Sequence, residues 1–488
     1  MPRNLPRVII LYPTCDDFIE GCAIFAKNQD YANTNFFILD DSKTNEYKNK
    51  IDLFSKKYNI NVVRRNEHPN WKQTGWKGGN LTAFLNNYED EWDFFVVMDA
   101  DTILQKDFVS KNITIFYSNV PNVGVIQSQI SGCNVPSLFS RIMSKKINSE
   151  NSYQESYRSH KIGVAGIRSW GMLVSRECYK SFGGYPDFVN DDTNLFYLVY
   201  THGFKIMYST LSPVSSIEPH DMITYYLREK RWWNQQIVFW RSVKFKTLKC
   251  NNIFLDFFVR NSTYAAKGVF IISTFLLVSA ILFPIFYSTA NYNTMFFKIF
   301  NYLLSANLLL FFFTLFILVI NYMVECKSFV SGIQYFLSWL IYSAIQAIIA
   351  PQFVLKWIFH LPIKNKNSYF VTNKKYHHIS LKEWFKFNNN NFIFLLIFSI
   401  LIVIMSLLNV YVLKTNEFNF ISFIISLCIY MFFFLIIILS TFLANITIKK
   451  NDTYSYSVLR KNNSLRKKYE LPTIQEPVMI TPKNNNES

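Results

Sequence analysis

Asp99 and Asp101 are the residues whose type and spacing most directly suggest chemistry. They end the run FFVVMDADTIL (residues 94–104), in which apolar residues suited to a buried strand stop abruptly at two carboxylates separated by one small alanine. In extended backbone, residues i and i+2 point to the same side, so both carboxylates can face one ion. Hard oxygen ligands suit Mg2+ or Mn2+, ions that commonly complete their shell with substrate phosphates. The plain alternative is a solvated turn after a strand.

Further acidic residues stand at comparable places. The run RVIILY (7–12) leads into PTCDD (Pro13–Asp17), and TNFFILD (34–40) ends in Asp40 and Asp41. Together with INVVRR, DFFVVMD and VGVIQSQ these runs read as strands, and the stretches between several of them can hold helices. Alternation of this kind predicts an α/β fold with a mostly parallel sheet covered on both faces. In such sheets ligands gather at the carboxyl ends of the strands, which is where Asp17, Asp41, Asp99 and Asp101 fall. Asp17 and Asp41 could instead cap the helices that follow them.

The chain has 488 residues, enough for more than one unit. Half of it is hydrophobic and 18% aromatic, and this content is concentrated after about residue 268. Gly268–Ser288, Tyr302–Met323, Phe392–Leu413 and Phe420–Ala444 are nearly free of charge and close to the length of a membrane-crossing helix. They predict a multi-pass cell-membrane protein with a front half outside the bilayer. Arg7–Tyr12 is too short for a signal peptide, so that half is expected on the cytoplasmic side.

The seven cysteines show no metal-type spacing, as in a reducing compartment. The net charge of +17 clusters beside the apolar stretches, at Lys364–Lys386 and Lys449–Lys468, which suits positive-inside bias and contact with membrane lipids. No basic recognition helix is evident, and nucleic acid is not an expected partner. Residues 241–267 suit a helix lying along the membrane surface. Residues 332–360 are long enough to cross but carry Gln334, Gln346, Pro351, Gln352 and Lys356, so they are expected to be interfacial, re-entrant or a hairpin. The Asn- and Lys-rich segment 446–488 reads as a disordered cytoplasmic tail.

The front half resembles the membrane-integrated family 2 glycosyltransferases, the group that includes cellulose synthase and hyaluronan synthase. PTCDD resembles that family's first-strand signature, with Thr14 and Asp17 as substrate contacts. LDDSKTN (Leu39–Asn45) resembles its second acidic motif, in which one Asp, here Asp41, reads the uracil of a UDP-sugar. WKGGNL (Trp76–Leu81) is similar to the segment whose lysine, here Lys77, lies along the nucleotide, and DAD is similar to the metal motif itself, with Asp99 also touching substrate. In FGGYPDFVNDDTNLFYLVYTHGFK (Phe182–Lys205) the residues Asn190-Asp191-Asp192 stand where the family shows Thr-Glu-Asp. The resemblance therefore implies Asp192 as catalytic base, with Asp191 as the alternative.

REKRWW (Arg228–Trp233) falls where the processive members carry Gln-x-x-Arg-Trp, which makes Arg231 and Trp232 the implied contacts to diphosphate and acceptor sugar. YFVTNK (Tyr369–Lys374) resembles a gating loop that meets nucleotide through Thr372. Arg228 and Tyr369 depart from the pattern. The lost glutamine bears on processivity rather than on glycosyl transfer.

The resemblance implies a GT-A type domain over residues 1–240, then a transmembrane domain over 268–445 with four spans and a cytoplasmic gating-like loop at 361–391. The implied reaction is inverting transfer of a hexose or N-acetylhexosamine from a UDP-sugar, aided by Mg2+ or Mn2+, to a growing glycan and possible accessory export subunits; the alternative is a single transfer to a lipid acceptor. Simpler roles stand beside these. Asp192 could be a helix N-cap, Trp232, Trp233 and Trp240 could be membrane-interface anchors, and Trp170 could be core packing. His220 suits a structural role, and Thr372 an ordinary basic loop. A transporter or scaffold with a nucleotide-binding front half is the remaining class, disfavoured because the apolar stretches lack the charges of an ion pathway.

Overall fold

The structure, a computed structural model, describes residues 5–242 except 89–90, 134–136, 157, 160–162, 187–190 and 220, together with 328–358 and positions 316, 317, 319, 320 and 323. The predicted spans lie outside the described residues, apart from those few positions near residue 320. So do the gating-like loop with Thr372, the interfacial segment from 243 onward, the tail and His220. Among the described residues no helix is long and apolar enough to cross a membrane.

The apolar runs form the strands expected of them. β1 (Val8–Thr14) and β2 (Thr34–Asp40) are parallel, as are β2 and β3 (Asn61–Val63), and β1 and β4 (Phe94–Val97). Helices α1 (Glu20–Lys27), α2 (Asn45–Tyr58) and α3 (Lys77–Asn87) supply the crossovers. Side chains alternate across the sheet with period two. Val8, Ile10 and Tyr12 of β1 enter one core with Cys22, Ala26, Ile51 and Phe54 of α1 and α2, while Ile9 and Leu11 enter the opposite core with Leu81, Phe84 and Leu85 of α3.

Four strands complete the sheet, and of these the apolar pattern marked only the one at VGVIQSQ. After β5 (Thr102–Ile103) and α4 (Phe108–Phe116) come β6 (Val123–Cys133), α5 (Leu138–Ser149) and β7 (Met172–Ser175). Then follow α6 (Arg176–Phe182), α7 (Asp191–Thr201) and β8 (Lys205–Ile217). The strand order is β3-β2-β1-β4-β7-β6-β8-β5. β7 is antiparallel to both β4 and β6, β5 is antiparallel to β8, and β6 with β8 is parallel. The sheet is therefore mostly parallel on one side and mixed on the other.

A loop enters β7 through Gly171, whose amide donates to the Val97 carbonyl at 2.8 Å. Its φ is +61°, and a Cβ there would sit 2.4 Å from Val214 Cγ2. Gly171→Ala meets both a left-handed backbone penalty and an overpacked contact, for an expected loss of roughly 2–4 kcal/mol. Thermal unfolding of the purified chain should show the lower midpoint.

Beyond the sheet, α8 (Met222–Ser242) and α9 (Phe329–Ile358) pack with α5 into a third core. Segment 332–360 was expected to be interfacial, re-entrant or a hairpin; through Ile358 it is one unbroken helix, which excludes the hairpin. Its face bearing Ile341, Tyr342, Ile345 and Ile349 is buried against α8 and α5, while Phe329, Val330 and Ile333 near its start are exposed.

Candidate active site

Tight local geometry shapes the end of β1. Asp17 accepts from Thr14 Oγ1 at 2.8 Å and from the Cys15 amide at 2.7 Å, and this turns the chain sharply. Asp16, at φ +58°, holds the neighbouring loop by accepting from the Lys43 and Thr44 amides at 3.1 and 3.0 Å. Neither capping alternative survives. Ile19 is the N-cap of α1 and Thr44 that of α2, so Asp17 and Asp41 are left for other work.

Asp41 is fixed by a partner that no sequence pattern singled out. Arg65 is only 9% exposed and grips both carboxylate oxygens, Nε to Oδ1 at 3.0 Å and Nη2 to Oδ2 at 2.8 Å. The same guanidinium donates to the carbonyls of Thr74 and Gly75, at 2.9 and 2.8 Å, just ahead of α3. A planar fork of donors can serve a carboxylate and backbone carbonyls together, which a lysine cannot. Burial raises Asp41 and Arg65 opposes that rise.

The DAD segment needs one correction. The strand ends at Val97, and Asp99 to Thr102 form a turn, closed by the Thr102 amide on the Asp99 carbonyl at 3.0 Å and by Thr102 Oγ1, which accepts from the Asp99 amide at 2.9 Å. The two carboxylates therefore share a site through a turn rather than through extended alternation. Lys77, the first residue of α3, pairs with Asp99 and donates to the Ser169 carbonyl at 2.6 Å. Ser169 has φ +58°, a strained backbone that presents this carbonyl to the lysine.

Around Asp101 the environment is strongly acidic. Burial pushes its carboxyl up to about 7, and Asp99, Asp17 and Glu218 add to the effect. Asp17 rises to about 6, first through burial and then through Asp99 and Asp16. Glu218, at the end of β8, is 2% exposed and accepts from Arg228 Nη1 at 2.9 Å. No sequence pattern marked Glu218 either.

Asp191 and Asp192 open α7, and both carboxylates satisfy backbone there. Asp191 Oδ1 accepts from the Asp192 amide at 3.1 Å, and Asp192 Oδ1 from the Thr193 amide at 2.7 Å. A helix N-terminus favours negative charge, yet burial outweighs it. Asp191 is pushed up to about 7, with Asp192 and Asp99 raising it and Lys77 opposing. Asp192 is also raised, against the pull of Thr193 and Arg168. Asp192 thus stands at the helix terminus, as the plain alternative had it, with its carboxyl raised by burial.

From α8, Arg231 reaches the same region. Burial works against its charge while Asp99, Asp191 and Asp101 favour it, and its Nε has no hydrogen-bond partner. A half-buried guanidinium with an idle donor is a ready anion contact. One turn away, the Arg228 guanidinium lies 4.8 Å from the centre of the Trp232 ring. Trp233 is buried, so it cannot be a membrane-interface anchor, and Trp170 packs against the core. The structure thus gathers Asp17, Lys77, Asp99, Asp101, Asp191, Asp192 and Arg231 at one sheet edge. Thr14 and Asp41 sit beside them, joined through the Asp41 amide on the Thr14 carbonyl at 2.9 Å.

Among the described residues no three or more His, Cys, Asp or Glu side chains close into a metal cage. The acidic enclosure of Asp101 nevertheless fits a cation held by Asp99 and Asp101 that takes its remaining ligands from phosphate and water.

Residues 25–235 match the family described as "Glycosyltransferase like family 2". Solved structures similar to it include residues 1–349 of S. aureus TarS, at 12% identity and TM-score 0.31 over 48% of this chain and 64% of that one. A longer S. aureus TarS structure matches at 13% identity and TM-score 0.30, over 46% of this chain and 38% of that one. Glucosyl-3-phosphoglycerate synthase from Mycobacterium tuberculosis, solved in complex with Mn2+, UDP and glucosyl-3-phosphoglycerate, matches at 16% identity and TM-score 0.30, over 43% and 72%. The chain thus spans less than two thirds of the TarS chains it matches.

Proposed function

We propose that this chain is a membrane-bound inverting glycosyltransferase that moves a hexose or N-acetylhexosamine from a UDP-sugar onto a growing polysaccharide at the cytoplasmic face. The observation that carries the reading is the convergence of Asp99, Asp101, Asp191, Asp192, Lys77 and Arg231 at one edge of a domain that matches family 2. The apolar stretches from residue 268 onward and the basic segments between them support the membrane assignment.

In this mechanism Asp41, gripped by Arg65, accepts a ring N–H of the base. Lys77 and Arg231 meet the diphosphate. Asp192 takes the proton of the acceptor hydroxyl as its oxygen attacks the anomeric carbon, and the diphosphate departs on the opposite face. Burial raises the proton affinity of that carboxylate above the ordinary aspartate range, which suits it to accept a proton. A Mg2+ or Mn2+ ion on Asp99 and Asp101 would neutralise charge on the leaving diphosphate. One base then suffices, because the leaving group needs no proton.

A second reading has its own observation. The Arg228 guanidinium over Trp232 covers one face of the ring that would carry an acceptor sugar, which favours single transfer to a lipid carrier. Purified full-length protein incubated with a panel of UDP- and GDP-sugars and Mn2+ decides between them. Long water-soluble products are expected. Labelled sugar confined to the lipid fraction selects the second reading, and no metal-dependent turnover of any donor rejects both.

A further inference from the structure

We infer that Gln346 is a positioning residue for the substrate face of α8, so that a helix lying outside residues 25–235 completes the site. This rests on the reading above that Arg231 meets the donor diphosphate. Two faces of α8 do different things. Arg228, Arg231 and Trp232 are spaced i, i+3, i+4 and share one face, which turns toward Glu218, Asp99, Asp101 and Asp191. Glu229 and Trp233, at i and i+4, share another. At about 100° per residue, Trp233 lies roughly 200° around the helix from Arg231, so whatever grips Trp233 sets where Arg231 points.

Among the described residues, an amide grips it. Trp233 Nε1 donates to Gln346 Oε1 at 2.6 Å, and Gln346 Nε2 donates to Glu229 Oε2 at 2.6 Å. Exposure is 2% for Glu229, 5% for Trp233 and 4% for Gln346, so water does not replace either bond readily. The surrounding contacts are apolar: Met222, Tyr226 and Ile237 of α8 meet Ile341, Ile345 and Ile349 of α9. Such contacts hold two helices together without fixing rotation strongly, whereas a donor and an acceptor that must both be met from one side chain do fix it. Glutamine suits the position because only an amide offers an acceptor to the indole and a donor to the carboxylate together. A methionine there conserves volume and leaves a buried N–H and a buried carboxylate without their partner.

The test uses full-length protein in detergent and measures UDP affinity in the presence of Mn2+ by calorimetry, alongside the melting temperature. Wild type, Gln346→Met, Trp233→Phe, the double variant and Arg231→Ala are compared. The expected result is a loss of about tenfold in UDP affinity for Arg231→Ala and of about five- to tenfold for Gln346→Met, with the double variant no weaker than the worse single one. Trp233→Phe keeps ring packing and removes the indole N–H, so it reports even if Gln346→Met is poorly folded. UDP affinity within twofold of wild type in both single variants, with only the melting temperature lowered, overturns the inference and leaves the proposed function standing. UDP bound equally well by Arg231→Ala overturns the diphosphate role of Arg231, and with it this inference.

Discussion

Asp192→Asn is expected to lower kcat by about 10^3, equivalent to roughly 4 kcal/mol of transition-state stabilisation, while UDP affinity stays within a few-fold. The amide keeps the shape of the side chain and an oxygen for the Thr193 amide, so α7 can start normally. What it lacks is the ability to accept a proton from the acceptor hydroxyl. Single-turnover rates with the natural donor separate chemistry from binding, and a variant retaining more than about a tenth of wild-type rate removes Asp192 from the role of base.

The pH dependence has a definite sign. A carboxylate raised by burial keeps its proton to higher pH, and the base works only when deprotonated, so the rate should climb with pH and level off only above the ordinary carboxylate range. Asp191→Asn removes a neighbouring like charge. It should move that acid limb to lower pH and leave a substantial plateau rate, whereas loss of the plateau would shift the assignment to Asp191.

The second large effect concerns Asp101, where function and stability are expected to oppose each other. Asp101→Asn should lower transfer by about 10^2–10^3 and abolish the increase in melting temperature that Mn2+ gives the wild type with UDP. With the metal chelated at pH 8, the same variant should melt above wild type. The folded-state pKa is about 7 against 3.8 for an ordinary aspartate, so the folded protein binds this proton more tightly than the unfolded chain. Ionisation therefore destabilises the fold increasingly as pH rises through that window, fully so above it. Asparagine removes the charge, and the advantage should vanish near pH 4. Melting curves at pH 4, 6 and 8 with EDTA or with Mn2+ and UDP check both halves. A variant that melts below wild type at pH 8 in EDTA contradicts the acidic enclosure described for Asp101.

Much of the site was legible because its carboxylates belong to strand ends. The alternation in Val8–Thr14 and Thr34–Asp40 specifies half-buried strands, and parallel strands deliver their carboxyl ends to one edge. Asp17, Asp41, Asp99 and Asp101 could therefore be grouped without knowing any contact. The antiparallel β7 was not legible, since MLVS is too short to distinguish from a helix start by period alone. The turn at Asp99–Thr102 could be read only as the plain alternative to extended backbone, for a similar reason. It is closed by one backbone and one hydroxyl hydrogen bond, and no Gly or Pro announces it.

Local order along the chain thus determined which residues carry charge and toward which edge they are sent: apolar periodicity is a short-range property written in neighbouring positions. Tertiary structure alone decided what each charge meets. Arg65 on Asp41, Lys77 on Asp99, Glu218 facing Asp101 and Gln346 on Trp233 join residues from 22 to more than 100 positions apart. Those partnerships set the proton affinities and orientations because a buried charge responds to everything packed within a few ångströms of it, and sequence spacing does not encode that distance.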